Sequence, residues 1–218
     1  MYVVIFRIDN EYRRRKIRET LSRYGLREAA GSVFILATKS QENEQLFEAI
    51  RKIMNYYDAK HVIFGKGSRF ILVMYRFFER NSKKYMSTKR ILERNLALYI
   101  SRGVYILPSE YSYIISELYK NVGYLEYFYV EPISKIDESQ LSQMYIEYIN
   151  NIVDKLMAKK MHINNRRMTL ELLRYTSILQ EKIMDLAFRY IIDQNSIISI
   201  LKKLGMFKLE VLKKLQNL

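Results

Sequence analysis

The sequence predicts an α+β chain: two consecutive split βαβ units, then an all-helical C-terminal region. Three observations carry that reading. A strand–helix–extended–helix–strand pattern fills residues 1–66 and starts again at residue 70. The two copies keep their spacing: Arg7 lies 69 residues before Arg76 and Phe34 lies 71 before Tyr105, which places about two extra residues after the first strand of the second copy. From Asp137 onward the apolar residues recur only at helical intervals. Matching order, spacing and residue type over so much of the chain marks an internal repeat.

The elements follow in order. Tyr2 to Ile8 is a β-branched and aromatic run that ends at Asp9-Asn10. Asn10 is placed to cap a helix over Arg13 to Tyr24, with Ile17, Leu21 and Tyr24 on its apolar side and Gly25 as its stop. Glu28 to Ala37, centred on SVFIL, is extended and long enough for a bent strand or a tight hairpin. A polar break over Lys39 to Glu44 precedes a second amphipathic helix on Leu46, Phe47, Ile50, Ile53 and Met54. KHVIFG, residues 60–65, closes the first copy as a strand.

The second copy repeats the sequence of elements. FILVMYR at Phe70 to Arg76 reads like Val3 to Arg7, and a basic helix is expected from Tyr85 to Leu98. GVYIL at Gly103 to Leu107 echoes SVFIL, Ser109 to Val122 is the next helix, and Tyr124 to Val130 the last strand. This order is ferredoxin-like, an antiparallel sheet with helices on one face. Lys66 to Arg69 is too short for a flexible linker, so 1–66 and 70–135 are expected to fuse as a pseudo-dimer. The helical region, 137–218, reads as helices over 138–160, 166–192 and 195–216, with Asn164-Asn165 and Asp193-Gln194-Asn195 as caps and breaks. It is expected to form a bundle that packs on the sheets or makes a homodimer.

Bulk properties narrow the chemistry. The formal net charge is +14, which favours a polyanionic partner, either nucleic acid or an anionic surface. There is no cysteine, so disulfides, thiolate metal sites and thiol nucleophiles are excluded together. Zero Cys, two Pro and abundant Lys, Arg, Ile and Tyr resemble the composition of a heat-loving archaeon's proteins. Arg7 comes too early for a secretory signal, and no apolar run approaches the roughly 20 residues a spanning helix needs. A cytoplasmic location without a membrane partner is expected. Neither a GxxxxGK[ST] nor a GxGxxG motif is present, and the two histidines, His61 and His162, are far apart in sequence.

Residues 1 to about 65 resemble the small ferredoxin-like subunit of CRISPR adaptation complexes that bridges the integrase dimers. The likeness rests on the MYVVI strand, on RRRKIRETLSRYG, and on the seven-residue step from Gly25 to Ser32 at the head of SVF. It recurs more weakly in residues 70–135. GVYILP at Gly103 to Pro108 also looks like segments of the related domains of phenylacetate-repressor and chromate-resistance regulators. The resemblance implies an aspartate at the end of the first strand, where a divalent metal can be held between subunits. An ungapped match puts Arg7 there, and Arg76 in the second copy, and a guanidinium has no lone pair for Mg²⁺. A two-residue slip would restore Asp9 as a ligand.

The candidate binding residues are cations. Arg13, Arg14, Arg15, Lys16 and Arg18 crowd the first helix of copy one, and Lys83, Lys84, Lys89, Arg90 and Arg94 take the comparable place in copy two. Cations at a helix N-terminus oppose the macrodipole, and repeating that choice suggests a phosphate backbone as their use. The resemblance implies DNA-backbone contacts from the same helix. Arg7 and Arg76 are placed to face each other across the pseudo-dimer, to clamp a phosphate or to pair with Asp9 or Glu79. Ser196 to Leu215 has helix–turn–helix spacing around Gly205, with Lys208, Lys213 and Lys214 on the second half; an ordinary helical hairpin fits the same spacing. The tyrosines can stack on bases, but Tyr127 and Tyr129 are expected in packing. The leading expectation is a non-enzymatic, regulatory or architectural protein that binds nucleic acid, DNA in the first place, and carries no cofactor. A nuclease using Asp9 and Mg²⁺, and a protein–protein scaffold of a CRISPR or mobile-element system, are the alternatives.

Overall fold

The computed structural model describes residues 1–37, 43–77, 82–158, 165–189 and 193–216. Its internal contacts divide the chain into Met1–Leu141 and Ser142–Leu218.

In the first unit, β1 (Tyr2–Arg7) leads into α1 (Glu11–Arg23), which begins where the Asn10 side chain accepts the Arg13 N–H at 3.0 Å. Gly25, at φ +81°, ends the helix, and the Leu26 N–H donates back to the Leu21 carbonyl. The extended stretch is a hairpin of β2 (Arg27–Ala30) and β3 (Val33–Leu36). After α2 (Asn43–Tyr56) comes β4, a single 17-residue strand from Lys60 to Arg76. The two strands predicted on either side of Lys66–Arg69 are therefore continuous. Their junction survives as a register shift, where Lys66 and Phe70 both pair with Val130.

The second half proceeds through α3 (Ser82–Arg94), a hairpin of β5 (Leu98–Ser101) and β6 (Val104–Pro108), a 3-10 turn over Ser109–Tyr113, α4 (Ile114–Tyr119) and β7 (Tyr124–Pro132). The basic helix stops earlier than its apolar period predicts. Leu96 takes a left-handed φ of +51°, the Ala97 N–H folds back to the Leu92 carbonyl, and Leu98 begins a strand instead of ending a helix. Gly25 and Leu96 thus terminate their helices with equivalent hydrogen bonds, 71 residues apart.

Among the described residues seven strands form one sheet, every pairing antiparallel, in the order β2-β3-β1-β4-β6-β5, with β7 also on β4. Around the first half of β4 the order is β2-β3-β1-β4; around its second half it is β5-β6-β4-β7. Helices α1 and α2 cover one core, built on Val4, Phe6, Ile17, Leu21, Ile50 and Ile63. The second core gathers Ile71, Val73, Leu92, Leu107, Ile114 and Leu118. Residues on the opposite strand faces, such as Val3, Ile5, Leu72, Met74 and Ile106, are buried as well. β1 touches β5 although they are not neighbours in the sheet, so its two halves lie against each other.

The free edge of β4 near His61 is closed by the start of α5 (Lys135–Ala158). Ile133 donates to the Ile63 carbonyl at 3.1 Å, Asp137 Oδ1 accepts the Ile63 N–H at 2.9 Å, and Gln140 Oε1 accepts the His61 N–H at 3.2 Å. An edge strand with unpaired backbone groups invites association, and here side chains satisfy them.

In the second unit α6 (Arg166–Arg189) and α7 (Gln194–Gln216) pack together. Leu173, Leu179, Ile183 and Leu186 line the buried side of α6, and Ile197, Ile200, Leu204, Phe207 and Val211 that of α7. Asn165 and Asp193 cap the two helices through Met168 and Ser196. Both readings of residues 196–215 are corrected: α7 is unbroken through Gly205, with neither a helix–turn–helix nor a hairpin. The buried stripe keeps its three- and four-residue steps across the glycine, so leaving the helix there would forfeit half of that packing. One glycine costs only about 1 kcal/mol against alanine. No helix among the described residues is long and apolar enough to cross a membrane.

Candidate nucleic-acid interface

Helix α1 carries the first set of predicted cations, and most are already engaged. Arg14 is turned partly inward: it donates to Glu11 and to the Ile8 carbonyl, each at 2.8 Å, and ties the end of β1 to the helix. Arg18 holds Glu28 through two donors, at 2.8 and 3.1 Å. Arg15 and Lys16 both reach Glu19, at 3.6 and 3.3 Å, and both lie near the Tyr12 ring. Arg13 reaches the Tyr57 carbonyl at 3.4 Å. Exposed pairs of this kind are worth at most about 1 kcal/mol, so phosphates can displace them at modest cost. Arg14 is the exception, because its role is local structure.

Helix α3 carries the second set. Lys83, Lys84 and Arg90 are exposed, and its only acidic residue, Glu93, pairs with Lys89 at 3.7 Å. A cleft of about 480 Å³ runs along the helix, lined by Lys83, Met86, Ser87, Arg90, Ile91 and Arg94, with Glu117 on the facing α4. Three cations against one carboxylate make this a positively charged groove. Arg90 makes no ion pair among the described residues.

Each strand-end arginine has a neighbour across the ladder. Arg7 pairs in register with Lys60, and Arg76 with Tyr124. Neither makes an ion pair among the described residues, and Asp9, exposed in the turn after β1, pairs with neither. Glu79 and Phe78 lie outside the described residues, as does His162. Arg76 lines a cleft with Arg102, a residue that the sequence reading passed over because it began the extended stretch at Gly103. No group of three or more His, Asp or Glu side chains placed to hold a metal occurs among the described residues.

Other placements also differ from expectation. Lys208 is half-buried and donates to Ser177 Oγ on α6 at 2.8 Å, while Lys213 is exposed on the same unbroken helix. Tyr127 and Tyr129, expected in packing, are 41% and 44% exposed on β7 with their rings edge to face. His61 is buried, and its Nδ1 faces the Ala59 carbonyl at 3.2 Å while Nε2 has no partner. Burial pushes its pKa down; the Ala59 carbonyl and Asp137 oppose the shift, and Arg51 adds to it. Beside it, buried Asp137 pairs with Arg51 at 2.7 Å and with the Ser134 hydroxyl.

A sheet edge covered by a helix start, with basic helices outside each core, is the setting in which the family comparison becomes informative. Residues 1–69 match the family model of CRISPR associated protein Cas2. No curated protein matches the chain. The Cas2 match runs from β1 into the register shift of β4 and leaves residues 70–218 outside. It agrees with the resemblance read from MYVVI, the basic helix and SVF, and it fits a CRISPR-related role.

Proposed function

We propose that this chain is a nucleic-acid-binding protein, regulatory or architectural, whose two ferredoxin-like units form a fused pseudo-dimer with duplex DNA as its partner. The observation that carries the reading is the α3 groove, where Lys83, Arg90 and Arg94 outnumber Glu117. Helix α1 occupies the equivalent place after β1, with cations whose ion pairs are weak enough to exchange for phosphates. The strand orders around the two halves of β4 support the pseudo-dimer, and the Cas2 match supports a setting in CRISPR adaptation. The test is duplex DNA affinity in the full chain. Lys84→Glu with Arg90→Glu lowers it at least tenfold, whereas Arg15→Glu has a smaller effect. An unchanged affinity in the double variant rejects the reading.

A second copy of the chain is the proposed partner of the helical region. Ile198, Leu201, Leu209 and Leu212 form a second apolar stripe on α7, beside the buried one, and Leu209 is 62% exposed. The stripe lies symmetrically about Gly205, at steps of four and seven residues on either side, as an antiparallel helix pair with a two-fold axis requires. Leu209→Glu then shifts the sedimentation coefficient to that of a monomer. A monomeric parent protein rejects this assignment.

A further inference from the structure

The end of β4 carries a second concave site, apart from the basic helix faces. It is a cleft of about 580 Å³ lined by Ala29, Gly31, Arg76, Phe77, Arg102 and Tyr124, with Glu126 at its side. The volume lies within the range of small-molecule sites. The hairpin turn that brings Arg102 here is held down on β4, since the Tyr75 N–H donates to the Gly103 carbonyl at 2.8 Å. Gly103 has φ +76°, and a Cβ on it would collide with the Tyr75 carbonyl oxygen. Only glycine permits this approach, which sets Arg102 beside Arg76.

Charge and shape then define the ligand. Arg76 and Arg102 are exposed and make no ion pair among the described residues. The lining holds one carboxylate, Glu126, against the two guanidiniums. Two planar guanidiniums suit the oxygens of a phosphate, each able to donate twice. Tyr124, in register with Arg76, supplies aromatic surface, whereas the Phe77 ring packs against Tyr75 and Tyr85 on the second core; Ala29 and Gly31 leave the wall open. An anion with a flat aromatic group fits both halves of the cleft better than a bare anion does.

We propose that this cleft binds a nucleotide, with its phosphate between Arg76 and Arg102 and its base against the exposed Tyr124 ring. The site is separate from α1 and α3, so nucleotide binding and duplex binding succeed or fail independently. Isothermal titration calorimetry on the full chain, with adenosine 5′-monophosphate, adenosine and inorganic phosphate as separate probes, tests it. The monophosphate binds more tightly than either fragment. Arg76→Gln and Arg102→Gln each weaken it about tenfold, as expected for the loss of a charged hydrogen bond, and Lys52→Gln, on α2, leaves it unchanged. Circular dichroism of the two arginine variants matches the parent, because both side chains are at the surface. Absence of monophosphate binding overturns the proposal, as does equal binding of inorganic phosphate or indifference to both arginine substitutions.

Discussion

His61 shows how one buried side chain sets a response to pH. Its imidazole is inside the fold with Nε2 unpartnered, and burial holds the pKa below the ordinary value. The unfolded chain therefore takes up the proton first as pH falls below about 6.5, and the folded state loses stability from there down to the lower folded pKa. His61→Phe removes this contribution while filling the space. The melting temperature of the variant falls less between pH 7 and pH 5 than that of the parent; parallel curves would show that His61 does not titrate differently on folding. Arg14 and Arg18 make a related point, since neighbouring arginines in the sequence hold different partners. Arg14 secures the Ile8 carbonyl and Arg18 reaches Glu28 on the next strand. The i,i+4 spacing made Arg15–Glu19 legible, but nothing local announced Arg18–Glu28.

At the scale of elements, apolar period located helices and strands well and their ends poorly. Gly25 marked the end of α1 because glycine tolerates the left-handed backbone at no steric cost. The same position in copy two is Leu96, so the helical period of Ile91, Leu92 and Asn95 read on into Leu98 and hid β5. Beginning the extended stretch at Gly103 also passed over Arg102. In α7 the error had the opposite sign: Gly205 looked like a turn, while the continuing stripe of Leu204, Phe207 and Val211 held the helix together. A Cβ at Gly205 meets nothing within 4 Å. Gly205→Ala therefore stabilises the protein by about 1 kcal/mol in urea unfolding. Destabilisation by a similar amount would restore the case for a turn.

Across the molecule, the hydrogen bonds that end α1 and α3 lie 71 residues apart, the offset of Phe34 from Tyr105, while Arg7 and Arg76 are 69 apart. The short step from Lys66 to Arg69 was read as joining the two strands directly, and they run on as one strand, β4. The join carries a register shift, with Gly67 against Glu131 where a side chain would not fit. The candidate interface was legible as clustered charge, but the acids that meet it were not, because they come from other strands and helices, such as Glu28 beside α1 and Glu117 beside α3.

The excess of cations over Glu117 in the α3 groove has a direct consequence for binding. Each phosphate neutralised on duplex DNA releases counterions, so the slope of logarithmic affinity against logarithmic salt counts the contacts, at about 0.9 per phosphate. The deciding measurement is that slope for the parent and for Lys84→Glu with Arg90→Glu. The expected result is a steep parent slope that flattens by about two contacts in the variant. A shallow parent slope, or one that the two substitutions leave alone, would contradict the assignment of α3 as the phosphate-binding face.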